Sequence, residues 1–122
     1  MDIRATNEND LDLDIELTQY KGRFLQRSVS LTFYEGKEPY FIGSFFLDDN
    51  TIGFTKLKEL SDRQKLSLIY AFKKILKEVL GTKRLFAFIK KDDTETLRFA
   101  RYFKFFKVDE TEDYFQLTRN PQ

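Results

Sequence analysis

The sequence predicts one α/β (α+β) domain over residues 1–122: a mixed sheet in which an antiparallel meander is joined to a parallel strand by a long helix, followed by a C-terminal helix and β-hairpin. Three observations predict it. Three strand-like runs separated by tight turns follow one another between Ser28 and Leu57. A helical stripe comes next, with Leu68, Ile69, Phe72, Ile75, Leu76 and Val79 recurring at the spacing of one face. The run after it, Arg84–Lys90, is apolar on both faces, as in a buried central strand. Strand, helix and strand of these lengths imply a right-handed parallel crossover.

Each element has its own signal. Asp2–Thr6 reads as a short first strand. The stretch Asn7–Gly22 is ambiguous, because Leu11, Leu13, Ile15 and Leu17 alternate like a strand. Asp is a poor strand residue, however, and Asn7 or Asn9 can cap a helix, so helix is the expectation. The meander comprises Ser28–Tyr34, Tyr40–Leu47 and Thr51–Leu57, turning at Glu35–Pro39 and Asp48–Asn50. Gly53, inside the third strand, marks either a bulge or close backbone approach or a plain weak spot. Ser61 and Gln64 have the spacing of a capping box for the long helix, and Gly81 is the expected stop after Leu80. Asp93 or Thr94 begins the second helix, and a hairpin turning around Asp109–Asp113 closes the chain. Its Phe105, Phe106, Tyr114 and Phe115 are expected to pack rather than to stack on a ligand.

Composition narrows the chemistry. The chain has 14 Phe and 6 Tyr for a core, with charged residues at 34% to coat it. It contains no run of 18 apolar residues and no cationic-then-apolar start, so neither a membrane span nor a leader is expected, and the expected location is cytoplasmic. Cys and His are both absent, which removes disulfides, thiolate and imidazole nucleophiles and the common zinc ligand sets, so no metal is expected. The net charge of +1 conceals an asymmetry: Arg63–Lys107 holds 13 basic and 4 acidic residues. Such a face suits nucleic acid, a phosphorylated cofactor or an acidic protein, or is simply a solvated helix surface carrying Lys65, Lys73, Lys74 and Lys77.

The order of elements, with "DIRATNENDL" at the start and "LRFARYFKFFKVDETEDYFQLT" at the end, resembles the GNAT superfamily of acetyl-CoA-dependent N-acetyltransferases. More narrowly, "LSDRQKLSLIYAFKKIL", "DTETLRFARYFKFF" and "YFQLT" resemble the short GNAT-like internal virion proteins of podoviruses. The resemblance implies a cofactor pyrophosphate held where the last meander strand enters the long helix. The family carries Gln or Arg, two residues, Gly, one residue, then Gly or Ala there, so that backbone N–H groups can close on the phosphates. Here those positions are Leu60, Arg63 and Lys65, or Ser61, Gln64 and Leu66 in the alternative register, and neither has a glycine. Ser61, Arg63, Gln64 and Lys65 are accordingly the candidate cofactor-binding residues.

The family's closing helix reads Asn, two residues, Ala, three residues, Tyr, three residues, Gly-Phe. The matching positions are Asp93, Thr96, Ala100, Lys104 and Phe105, so only the Phe is kept. The Tyr that commonly protonates the departing thiolate is replaced by Ala100. Tyr102 lies about 200° around the helix from it. The strand Thr51–Leu57 offers no carboxylate as a base, and Asp48, Asp49, Glu59 and Asp92 are turn residues. No catalytic residue is therefore assigned.

Three functions compete at this level. The resemblance with two degenerate motifs implies a phage-type protein that has lost its acetyl-CoA site, binds no cofactor, and serves as a virion, assembly or host-interaction factor with protein partners. The alternative is an active acetyl-CoA-dependent N-acyltransferase, in which Arg63 and Lys65 replace the glycine loop and catalysis is mostly positioning. A nucleic-acid binder is the third, and no binding motif supports it.

Overall fold

In the computed structural model, which describes residues 2–122, the first run is strand β1 (Asp2–Ala5) and the ambiguous stretch after it is helical. It forms α1 (Glu8–Leu11), α2 (Ile15–Gln19) and α3 (Lys21–Arg27). Local capping explains why helix prevails over the alternating pattern. The Asn7 side chain accepts from the Asp10 N–H and the Asp10 side chain accepts from the Asn7 N–H, while the Asp14 carboxylate accepts from the Leu17 N–H. A strand would place Leu11, Leu13, Ile15 and Leu17 on one face. In the helices Leu11 and Leu17 are buried with Ile42, whereas Leu13 and Ile15 face outward.

The meander forms as expected: β2 (Ser28–Glu35), β3 (Glu38–Phe46) and β4 (Ile52–Lys56) give an antiparallel sheet in the order β1-β2-β3-β4. Gly36 at φ 62° and Asn50 at φ 59° make the two turns, since both residue types tolerate the left-handed region. Gly53 is not at a bulge. It sits opposite Ser44 in an unbroken β3–β4 register, and a Cβ there would come no closer than 3.6 Å to a neighbour; the sheet's irregularity lies instead at Phe33/Tyr34. One sheet face turns Phe33 and Phe41 toward the long helix, and the other turns Ile42 toward α1 and α2.

The long helix α4 (Asp62–Ile75) starts with the expected capping box: Gln64 N–H donates to Ser61 Oγ at 3.1 Å and Ser61 N–H to Gln64 Oε1 at 3.0 Å. Its end differs from expectation. Residues Leu76–Leu80 wind as a π-helical turn, which takes more residues per turn and rotates the stripe by about one position. Val79, expected in the core, is therefore 65% exposed, and Leu80 is buried in its place. Gly81 follows, but at φ −60° and ψ −28° it is not a left-handed stop. A side chain is excluded there by contact: a Cβ would lie 2.7 Å from the Leu76 carbonyl oxygen.

A second antiparallel sheet, in the order β5-β7-β6, is built from β5 (Leu85–Lys90), β6 (Phe106–Glu110) and β7 (Tyr114–Arg119), with α5 (Thr94–Tyr102) capped by Asp93 between β5 and β6. Strand β5 buries one face only. Leu85, Ala87 and Ile89 enter the core, whereas Phe88, on the other face, lines a cleft and is 52% exposed. In the hairpin Phe105 is buried and Tyr114 and Phe115 are half-buried, but Phe106 is exposed, contrary to its expected packing role. The main core joins the two sheets under α4 and α5. Phe54 lies edge-on to Phe72, Phe99 and Phe105 there, with ring centroids 5.5, 5.7 and 6.4 Å away.

Candidate functional site

The two sheets touch at one point along their shared edge. Thr51 and Phe86 form a single parallel bridge, with the Phe86 N–H donating to the Asn50 carbonyl at 3.1 Å. Beyond it β4 is paired to β3 and β5 to β7, and no ladder links β4 to β5. The backbone edges of the two parallel strands that face one another are thus left to splay apart.

A cleft opens on each side of the splay. On the helix side a hollow of about 260 Å³ runs between β4, the start of α4 and the exposed flank of α5, lined by Phe54, Lys56, Lys65, Glu95, Arg98 and Tyr102 among others. On the opposite side a hollow of about 430 Å³ lies under α2 and α3, lined by Glu16, Tyr20, Phe88, Lys90 and Tyr114 as well as Thr51–Lys56. Phe54, Lys56 and Thr96 line both. A third hollow of about 440 Å³, almost wholly apolar, lies between α4 and the β2–β3 part of the first sheet.

The sequence candidates fall into two groups. Ser61 and Gln64 are committed to each other through the capping box, which takes up two N–H groups that a phosphate would otherwise use. The Asp62 and Arg63 N–H groups remain at the positive end of the helix dipole, and the Arg63 side chain is exposed beside them. Lys65 lines the helix-side cleft, with its Nζ 3.1 Å from Glu95 Oε2; Lys56, at the end of β4, reaches Glu95 Oε1 at 3.3 Å. The Lys65 hydrogen bond, supported by Lys56 and opposed by partial burial, holds the Glu95 carboxyl below its ordinary range. It is therefore a poor proton acceptor.

Sequence reasoning missed Lys56, Glu95, Arg98 and Glu16. Only Glu95 carried a local signal, as an acid in the first turn of a helix. Lys56 and Glu95 are 39 residues apart and meet only through the tertiary fold. Tyr102 lies on the face of α5 opposite the buried Ala100, as the helical period predicts, and lines the cleft on the same flank as Glu95 and Arg98. On the opposite side Asp14 is occupied as a cap, and Glu16 lines the cleft with no ion-pair partner among the described residues.

Lys104 stands where the resemblance expects glycine, and the backbone retains a glycine conformation, at φ 70°. The Lys104 N–H donates to the Arg101 carbonyl at 2.9 Å and the Phe105 N–H to the Ala100 carbonyl at 3.1 Å, closing a Schellman motif that ends α5. Lys104→Gly should therefore raise stability by about 1 kcal/mol in chemical denaturation, because a left-handed L-residue carries about that penalty. A loss of stability would contradict the assignment.

Two sheets sharing a split parallel pair, with a long helix leaving one strand of that pair, make this the GNAT fold. The chain is similar over nearly its whole length to the Campylobacter jejuni N-acetyltransferase PseH, with a TM-score of 0.68 and 14% identity over 99% of this chain and 98% of that one. PseH has also been solved in complex with acetyl coenzyme A. The PaiA N-acetyltransferase of Thermoplasma acidophilum, in complex with coenzyme A, gives a TM-score of 0.68 at 12% identity over 98% of both chains. The ribosomal-protein-S18-alanine N-acetyltransferase of Escherichia coli gives 0.63 at 8% identity, covering 96% of this chain and 90% of that one. No protein-family model and no curated protein sequence matches the chain. None of the described helices is long and apolar enough to cross a membrane.

Proposed function

We propose that the chain is an acetyl-CoA-dependent N-acyltransferase acting on an amine of a protein or small molecule. The observation that carries this is the split between β4 and β5, with one cleft on either side and Phe54, Lys56 and Thr96 common to both. A donor entering from the helix side and an amine from the α2 side meet at that split. The facing edges of β4 and β5 present backbone donors and acceptors, which suit a ligand with amide groups as an added strand would. Lys65, lining the cleft, and the first N–H groups of α4, with the exposed Arg63 beside them, suit the anionic end of such a donor. When bound, acetyl-CoA supplies an acyl group activated as a thioester.

The residues present fit that group by charge, through Lys56, Lys65 and Arg98 in the helix-side cleft, although the loop before α4 has no glycine. Their contribution is positioning, which supplies large rate factors without a strong base. Glu16 is placed to attract an ammonium to this side of the split. A thermal or calorimetric titration with acetyl-CoA tests the reading: at 100 times the dissociation constant the protein should gain about 2.7 kcal/mol of stability. No response at millimolar acetyl-CoA would overturn it.

One observation favours a second reading. Because the capping box already satisfies Ser61 and Gln64, the cradle is weaker than a glycine loop would make it. A non-catalytic protein on the same fold, including a phage-type virion, assembly or host-interaction factor, would show this feature and no response to acetyl-CoA.

A further inference from the structure

We propose that Glu95 is a built-in competitor for the anionic end of the donor, so that its carboxylate holds the place between Lys56 and Lys65 that a ligand phosphate takes. This rests on the transferase reading for the identity of the ligand, not for the competition itself.

Two cations from different elements bracket one carboxylate. Lys56 comes from the end of β4 and Lys65 from the first turn of α4, and they bind separate oxygens of Glu95 at 3.3 and 3.1 Å. All three line the same cleft beside Arg98, an exposed cation with no ion-pair partner among the described residues. The charged groups lining this cleft are therefore three cations and one anion, and the anion lies between two of the cations. Lys56 has one further acidic neighbour, Asp93 at 4.0 Å, which is already engaged in capping α5.

The bracket is built to open. The Lys65 and Glu95 side chains are 39% and 38% exposed, so their ion pair is weak and its partners can swing into solvent. Glu95 lies in the first turn of α5, where the helix dipole favours an acid whether or not the lysines stay bound to it. A phosphate carries more charge than a carboxylate and can meet Lys56, Lys65 and the start of α4 together, so it displaces Glu95. A structural brace would behave oppositely, because removing it would disorder the lysines and weaken anion binding.

Calorimetric titration of the full-length protein and its Glu95→Gln variant with CoA, and separately with inorganic pyrophosphate, decides between these. Glu95→Gln should bind both ligands about fivefold tighter at low ionic strength, with the gain shrinking as salt is added, and Lys65→Gln should bind both more weakly. Circular dichroism of each variant confirms that it is folded. If the wild type binds CoA and Glu95→Gln binds it equally or more weakly, the competition is refuted and the transferase reading stands. If neither protein binds CoA but Glu95→Gln binds pyrophosphate more tightly, the competition stands and the transferase reading falls. Binding of neither ligand to either protein overturns both.

Discussion

Asp10→Ala should lower the unfolding free energy by about 3 kcal/mol, measured by urea denaturation near neutral pH. The carboxylate is 3% exposed and receives four hydrogen bonds, two from the Arg4 guanidinium, one from the Thr32 hydroxyl at 3.0 Å and one from the Asn7 N–H at 3.0 Å. Alanine would leave the Arg4 and Asn7 donors without this acceptor while creating a small void, and the fully buried Thr32 hydroxyl would keep only its hydrogen bond with Thr6 Oγ1 at 2.9 Å. Asp10→Asn, which keeps the shape and part of the accepting capacity but loses the charge, should cost roughly half as much.

The pH dependence separates this account from a packing effect. Burial pushes the Asp10 carboxyl up, but the hydrogen bonds from Arg4, Asn7 and Thr32 outweigh it, and the group is held below its ordinary value of 3.8. A carboxyl depressed in the folded state contributes stability that is fully present above its unfolded value and is lost as pH falls through the folded one. The gap between wild type and Asp10→Ala should accordingly be constant above about pH 4 and shrink below it. A gap that persists unchanged into strong acid would show that the void, not the charge network, sets the cost.

Elements specified by local chemistry were legible in the sequence, and those specified by neighbours were not. Asn7, the Ser61–Gln64 box and Asp93 announce helix starts through side chains that bond their own backbone, and each caps the helix expected of it. The π turn at Leu76–Leu80 had no comparable signal. Its cause is packing of Leu76 and Leu80 into the joint core, and its only trace in the sequence is Gly81, whose role is close approach to the Leu76 carbonyl rather than a left-handed stop. Phe88 misled for a related reason: an apolar residue on an edge strand is indistinguishable in sequence from one on a central strand until the splay is known.

The same division holds at the candidate site. The start of α4 could be located, and with it Ser61, Arg63, Gln64 and Lys65, because a strand running into a capped helix is visible in one stretch of chain. What surrounds Lys65 could not, since Lys56, Glu95 and Arg98 come from β4 and α5 and converge only when the two sheets meet. Helical period placed Tyr102 correctly, on the face opposite the buried Ala100; that this outer face of α5 walls a cleft is a tertiary fact with no local signal.

Phe54→Ala should destabilise the protein by about 3–4 kcal/mol, the largest loss expected of any single truncation at the site. Phe54 is the ring at which β4, α4, α5 and the segment before β6 converge, edge-on to Phe72, Phe99 and Phe105. It also lines all three hollows and is half-buried against the core, so it is the partition between them as well as a packing residue. Truncation would remove both the buried area and the edge-to-face contacts, and the space left would join hollows that are now separate. The sheet pairing cannot close that space, because β4 is held by β3 on one side and is free of β5 on the other. Phe54→Leu restores most of the volume without the aromatic edge and should cost about 1–1.5 kcal/mol. Repeating both denaturation curves with saturating acetyl-CoA isolates the role of the partition. If Phe54 only fills the core, the ligand should stabilise wild type, Phe54→Leu and Phe54→Ala equally. If it also walls the helix-side cleft proposed for the donor, the increment should be nearly kept in Phe54→Leu and largely lost in Phe54→Ala, which is the result expected on the transferase reading.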